Sequence, residues 1–211
     1  MESVRFMVVD DHPMVREGIE RLLAAEFPGA AIATSSTGSE ALAFVEDGQP
    51  AVVILDLNLP ARDGLDVLRN LKDRNPACAV LIHTMYHESH FGVRALRAGA
   101  AGYLTKDQPV AEFLTAVKRL LGGKRYISPA LVELLAESFA GAASNDHLEL
   151  LSDREHQVLR RLAAGETVSA IAQQMNLSVK TVSTYRGRLL EKLQLKTTAA
   201  LIRFGIEHDL S

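Results

Sequence analysis

A chain of 211 residues exceeds one average domain and is long enough for two modest ones, each with its own core. With 47% hydrophobic and 23% charged residues it has an ordinary globular composition, and no apolar run approaches the ~18 residues of a membrane span, so no membrane partner is expected. The formal net charge is only −3, and the lone Cys78, which opens the apolar AVLI run, excludes an internal disulfide and reads as a buried structural thiol.

The first residues, MESVRFMVVDD, carry an acid and run straight into a strand, with no basic start or small-residue cleavage site, so a cytoplasmic location is expected. From residue 4 to 121, short apolar strands alternate with amphipathic helical stretches. Strands are predicted near 4–9, 30–35, 51–56, 79–84 and 102–105, and helices near 13–26, 38–47, 64–74, 88–98 and 108–121. Five successive βα units predict an α/β fold with a doubly wound, parallel five-stranded sheet. The punctuation agrees: Pro13 opens the first helix, Thr37 and Asp63 can cap the second and third, and Gly99 follows the fourth. KRYISPALVELLAESF then reads as a short helix with Ser128 as cap and Pro129 in its first turn. The small and polar residues from Ala140 to His147 read as a tether.

Beyond Leu150 the pattern is wholly helical, with segments near 153–164, 168–175, 179–193 and 197–208. Ser152 and Glu155 have the spacing of a capping box, Thr167 and Ser178 can cap the second and third segments, and Asn176 can take a left-handed turn. Two short helices joined by a tight turn form a helix-turn-helix. The domains expected are therefore 1–122, a linker with a short helix over 123–147, and a small all-α four-helix domain over 148–211.

The chemistry gathers at the strand ends. FMVVDD stops at Asp10 and Asp11, VVILD at Asp56, AVLIHT at Thr84 and AGYLTK at Lys106. Parallel strands share one carboxyl edge, so these groups meet in one crevice. Carboxylates of Asp10, Asp11 and Asp56 suit magnesium, which takes oxygen ligands and leaves positions for phosphate. Asp56 can serve as ligand and as nucleophile, because a cation removes the repulsion of an incoming phosphoryl group. Lys106 can neutralise its oxygens, and the Thr84 hydroxyl can bond one of them. Singly, each residue has a plainer reading as a helix cap, a strand threonine or a solvated lysine; jointly they converge. His83, His87 and His90 lie close in sequence, but a strand end followed by a helix start rarely converges three imidazoles on a metal, and His12 reads as a helix-start residue. A magnesium phosphatase acting on small molecules is the enzyme alternative, and the short βα connections leave it little room for a substrate.

Charge is uneven. Residues 1–122 hold 12 Lys+Arg against 16 Asp+Glu, whereas 176–203 hold Lys180, Arg186, Arg188, Lys192, Lys196 and Arg203 against Glu191 alone. On a helical wheel Val179, Val182, Tyr185, Leu189, Leu190 and Leu193 form a packing arc, opposite Lys180, Ser183, Thr184, Gly187 and Arg188. The exposed arc is expected to enter a major groove, with Lys180, Thr184 and Arg188 near base edges and Thr181, Lys192 and Lys196 on phosphates. Arg186 falls toward the apolar arc and is expected to snorkel to a phosphate or an internal partner. Gly187 permits close approach to DNA.

DDHPMVREG, LDLNLPARDGLDVL around Asp56 and ALRAGAAGYLTKD around Lys106 resemble the receiver domain of bacterial two-component response regulators. VKTVSTYRGRLLEKL resembles a LuxR-type helix-turn-helix. Together the chain resembles the NarL/FixJ class over nearly its whole length. The resemblance implies a flavodoxin-like receiver in which Asp56 accepts a phosphoryl group from a sensor histidine kinase, with magnesium held by Asp10, Asp11, Asp56 and the Asn58 backbone carbonyl. It also implies that Thr84 and Tyr103 form a switch pair, although Tyr103 alone also reads as a half-buried strand aromatic. It implies further a promoter-binding transcription regulator that dimerises when phosphorylated, its last helix pairing subunits, and that turns over no external substrate. In a phosphoryl site of this receiver type, Asn58 and Tyr86, two residues beyond Asp56 and Thr84, flank the approach of hydrolytic water, and bulky Tyr86 is expected to slow it.

Overall fold

The protein is described by a computed structural model covering residues 4–48, 50–59, 64–139, 148, 151–208 and 210. The first compact unit, Met1–Phe139, is built on a five-stranded parallel sheet of order β2-β1-β3-β4-β5. The strands are β1 (Arg5–Val9), β2 (Ala31–Ser35), β3 (Val52–Leu55), β4 (Ala79–Thr84) and β5 (Gly102–Thr105). Every residue of β3 is buried, as a strand covered on both faces requires. Alternation sends Met7, Val9, Val53, Leu55, Val80, Ile82 and Tyr103 to one face, and Phe6, Val8, Val52, Ile54, Leu81 and Leu104 to the other.

Helices α2 (Gly38–Gly48), α3 (Gly64–Arg74) and α4 (Glu88–Arg97) cover the first face, through side chains such as Leu42, Leu68 and Phe91. Helices α1 (Pro13–Glu26) and α5 (Val110–Leu121) cover the second, through Ile19, Leu23, Phe113 and Val117. Pro13 opens α1, and the Thr37 hydroxyl accepts the Glu40 N–H at 3.4 Å to start α2. Asp63, expected to cap α3, lies outside the described residues. Helix α5 starts two residues later than predicted: a residue before proline is biased away from helical angles, and here Pro109 itself is the N-cap.

After α5 the chain returns to the sheet. Tyr126 bridges Gly102 in parallel, its N–H donating to the Ala101 carbonyl at 2.9 Å. Helix α6 (Pro129–Phe139) starts at Ser128, whose hydroxyl accepts the Leu131 N–H at 3.1 Å and donates to Glu88 Oε2 at 2.6 Å. Leu131 is fully buried against Gly92 of α4, where an added Cβ would lie 2.5 Å from Leu131 Cδ1. The segment expected as a linker thus has two parts: Tyr126–Phe139 packs on the first unit, and Ala140 to His147 lies outside the described residues.

The second unit, Ala140–Ser211, holds α7 (Asp153–Ala163), α8 (Val168–Gln174), α9 (Val179–Lys192) and α10 (Thr198–Glu207). Its core joins Val158, Leu159, Ile171, Val182, Leu189 and Leu201. The expected caps form: Ser152 and Glu155 make a reciprocal capping box, and Thr167 and Ser178 accept the amides of Ala170 and Thr181. Asn176 has φ 51°, as predicted for the turn. Gln194 has φ 55° at the end of α9, a left-handed position that the sequence does not advertise with Gly or Asn. No helix among the described residues is long and apolar enough to cross a membrane.

Candidate functional site

The sheet order reverses between β1 and β3, and the crevice at such a point lies beyond the carboxyl ends of both strands. Backbone bonds carry the ladder past the strand ends: Asp10 N–H donates to Ser35 O at 3.1 Å, Asp56 N–H to Val9 O at 2.9 Å, and Lys106 N–H to Thr84 O at 2.8 Å. The predicted groups are therefore held at one edge by main chain.

The side chains close on one another there. Lys106 Nζ lies 2.6 Å from Asp10 Oδ2 and 2.7 Å from Asp56 Oδ2. Both carboxylates are 2% exposed, so their charge is not dispersed in water and must be met within the site. Burial alone would lower the Lys106 ammonium, but Asp56 and Asp10 outweigh it and hold that group above its ordinary value. One ammonium beside the carboxylates of Asp10, Asp11 and Asp56 leaves an excess of negative charge. The donor atoms of these three and of His12 all lie within 4.8 Å of one another, the only such group among the described residues. Hard oxygen donors that close, with charge to spare, fit a divalent cation. Asp11 Oδ1 is buried without a hydrogen bond, a second sign that the donor set is built for a cation.

Around this centre, Asp56 Oδ1 accepts the Asn58 N–H at 3.1 Å, which fixes the carboxylate's rotamer. Thr84 is wholly buried at the end of β4, and its Oγ1 lies 3.5 Å from the Tyr86 N–H. The Tyr86 hydroxyl donates to Asn58 Oδ1 at 3.4 Å, and its ring packs on Phe91 at 4.9 Å. Tyr86 therefore roofs the Asp56 side of the crevice. Tyr103 is wholly rather than half buried, and its hydroxyl donates to the Tyr86 carbonyl at 2.8 Å. The other histidines have separate tasks. His83 packs on Phe113 at 5.2 Å, with burial and then Lys106 lowering its pKa to about 4; His87 caps α4, accepting the Ser89 N–H at 3.3 Å. Arg16, in the first turn of α1, reaches back to donate to the Asp10 carbonyl at 2.5 Å, a contact that no sequence pattern signals.

In the second unit, α9 shows Lys180, Thr184, Gly187 and Arg188 exposed, while Val182, Leu189 and Leu193 are buried, and Tyr185 and Leu190 pack beside them. Val179 departs from the predicted packing arc, being 51% exposed in the first turn, where the neighbouring helices do not reach it. An added Cβ at Gly187 would meet nothing within 4 Å. Thr181 is half-buried beside the Ser178 cap, 2.8 Å between hydroxyls; Arg186 is half-buried as expected, and Lys196 is exposed. Lys192, expected at a phosphate, donates to Glu155 Oε2 at 2.7 Å and so ties α9 to α7. Burial would raise the Glu155 carboxyl, but Lys192 and the Ser152 amide hold it below its ordinary value. Those partners are 37 residues apart, beyond any local pattern.

Residues 6–118 match the response regulator receiver domain, and residues 149–204 match the bacterial regulatory proteins of the luxR family. The response regulator GacA of Pseudomonas viridiflava is 36% identical over 208 residues, covering 98% of this chain and 97% of GacA. A solved two-component response regulator of the LuxR family from Aurantimonas is 37% identical with a TM-score of 0.59, covering 66% of this chain and 99% of that one. RcsB of Salmonella enterica, solved on the rprA promoter with a phosphomimetic, shares the fold at 23% identity and a TM-score of 0.63, over 96% of this chain and 98% of RcsB. The acid-and-lysine crevice, the basic helix and these likenesses together place the chain in the family of DNA-binding response regulators, receiver domain first and LuxR-type helix-turn-helix second, rather than among substrate-turnover enzymes.

Proposed function

We propose that Asp56 is the phosphoryl acceptor of this response regulator and that its esterification controls binding of promoter DNA. The observation that carries the reading is the buried Asp10–Lys106–Asp56 arrangement, with its 2.6 and 2.7 Å contacts. A sensor histidine kinase presents a phospho-imidazole; an Asp56 oxygen attacks phosphorus, the P–N bond breaks as the P–O bond forms, and the released nitrogen takes a proton. Asp10, Asp11, Asp56 and the Asn58 carbonyl would hold magnesium, which when bound offsets charge on the phosphoryl oxygens. Asn58 N–H keeps Asp56 Oδ1 oriented. Lys106, already on Asp56 Oδ2, shifts to a phosphoryl oxygen without leaving the crevice. The Thr84 hydroxyl turns to another, loosening its contact with Tyr86 N–H, and Tyr103 responds because its hydroxyl is bonded to the Tyr86 carbonyl.

The helical domain reads DNA with Lys180, Thr184 and Arg188 at base edges. Thr181, Lys192, Lys196 and Arg186 contact phosphates, Lys192 keeping one of its three donors on Glu155. A homodimer paired through α10 reads two half-sites, and the regulator acts in the cytoplasm. The test is acetyl phosphate with magnesium. One stable phosphoryl addition is expected on wild type and none on Asp56→Asn, together with tighter promoter binding for wild type alone. Equal DNA affinity of the two proteins under phosphodonor defeats the proposal.

A further inference from the structure

His12 directly follows the acid pair and is the N-cap residue of α1, yet its side chain makes no capping hydrogen bond. Its Nδ1 meets Asp10 Oδ1 in a side-chain hydrogen bond at 3.2 Å, a contact that an incoming cation would replace. The ring is turned back over the crevice instead, with Nδ1 2.7 Å from Asp11 Oδ1 and 3.2 Å from Asp10 Oδ1. The His12 N–H donates to that same Asp10 Oδ1 at 2.9 Å, which locks the residue in this orientation. The 2.7 Å approach to Asp11 Oδ1 is an ionic contact, and that buried oxygen has no hydrogen bond. Ligand atoms at right angles on one ion, with bonds of about 2.0–2.2 Å, stand about 3 Å apart, so small shifts let Nδ1 and the carboxylate oxygens share a cation.

We propose that His12 is a metal ligand of the crevice, converting an oxygen-only site into a mixed one of three carboxylates and an imidazole that prefers a borderline transition cation to magnesium. The proposal rests on the reading of the crevice as a cation site. The donor atoms are already within 4.8 Å of one another, so the imidazole joins without backbone rearrangement. Ligation uses the neutral ring through Nδ1, with the proton on Nε2; the side chain is 56% exposed, so water can solvate that N–H. Magnesium gains little from a nitrogen donor, whereas manganese, cobalt and nickel gain progressively more, and zinc also favours imidazole. The consequence is a receiver whose occupancy follows which divalent cation is available.

The test titrates full-length protein with Mg2+ alone and with Co2+ alone by calorimetry, and records the cobalt visible absorption. His12→Asn removes the imidazole while supplying a favoured N-cap residue, which keeps α1 intact; His12→Ala serves as the second variant. Removing the ligand is expected to weaken Co2+ binding by at least about tenfold, to leave Mg2+ affinity within about twofold, and to shift the cobalt bands to longer wavelength as nitrogen is lost. Asp11→Asn is expected to weaken both ions. Co2+ affinity within about threefold of wild type in both His12 variants, with unchanged bands, overturns the proposal while Mg2+ binding sensitive to Asp11→Asn leaves the cation site standing. Failure of wild type to bind either ion overturns both.

Discussion

Gly64→Ala tests how closely Asp56, the proposed acceptor, is positioned. An alanine Cβ at this first residue of α3 would lie 2.4 Å from Leu57 Cα and 2.8 Å from the carbonyl oxygens of Asp56 and Leu57. All three are backbone atoms, so no side chain can swing away. Gly64 is not among the glycines with positive φ, which means crowding alone is at issue. Restoring ordinary contact requires a movement of about 1 Å, because carbon pairs settle near 3.5–4.0 Å. Leu57 is 1% exposed and cannot retreat into its packed surroundings. The strain therefore passes to the Asp56–Asn58 turn, where the bond from Asn58 N–H holds the carboxylate. Overpacking of this kind costs about 1–3 kcal/mol, and a reacting group misplaced by about 1 Å loses about 100-fold in rate. The expected result is acetyl phosphate labelling slowed about 100-fold, with a modestly lower urea midpoint for the receiver. Intact-mass spectrometry follows the label, and circular dichroism follows unfolding, since the chain has no tryptophan. Labelling at the wild-type rate would refute the view that this glycine sets the position of Asp56.

Gly187→Ala carries the opposite sign for stability. Its Cβ meets open space in a helix, so the second unit is expected to gain about 0.5–1 kcal/mol in thermal unfolding while DNA binding weakens in a mobility-shift assay; unchanged or tighter binding counts against close approach there. The Glu155 carboxyl is held below its ordinary value, so its contribution to stability is full above the unfolded value of 4.5 and is lost as pH falls through the lower folded value. Glu155→Gln is expected to flatten the acid limb of the second unit's stability curve, and a limb of unchanged slope contradicts this. Lys192→Ala leaves that carboxylate buried without its ammonium and is expected to cost about 1–2 kcal/mol, measured by urea unfolding at neutral pH. Tyr86→Ala removes the roof over Asp56, and the phosphoryl half-life, read by mass spectrometry, is expected to shorten; an unchanged half-life removes Tyr86 from control of hydrolysis.

The sheet was legible because parallel strands buried on both faces must be apolar throughout, so the polar residue ending each run marks the edge where the crevice opens. Asp10, Asp56 and Lys106 follow from that rule, and their 2.6 and 2.7 Å contacts repay it. Helix starts were legible for a local reason: Ser152, Thr167 and Ser178 reach amides three residues on. Contacts between distant elements left no periodic trace. The seating of Leu131 on Gly92 and the bond from Lys192 to Glu155 depend on how helices cross, which spacing along one helix does not encode. Val179 matched the apolar arc by angle and failed by height, since a wheel projection discards position along the axis. Gln194 adopts its left-handed angle because packing around Leu193 and Leu195 demands the turn there.

The fully enclosed Tyr103 ring, anchored by its hydroxyl to Tyr86 O at 2.8 Å, bears on how sharply the proposed switch would answer. Turning it outward breaks that anchor and wets the phenol in one motion, and an interior packed to crystal density offers no resting place between. If Tyr103 is the switch proposed above, each copy flips rather than flexes. A smooth dose-response curve from such a component is a head count of flipped copies, and noise in the output falls as copy number rises.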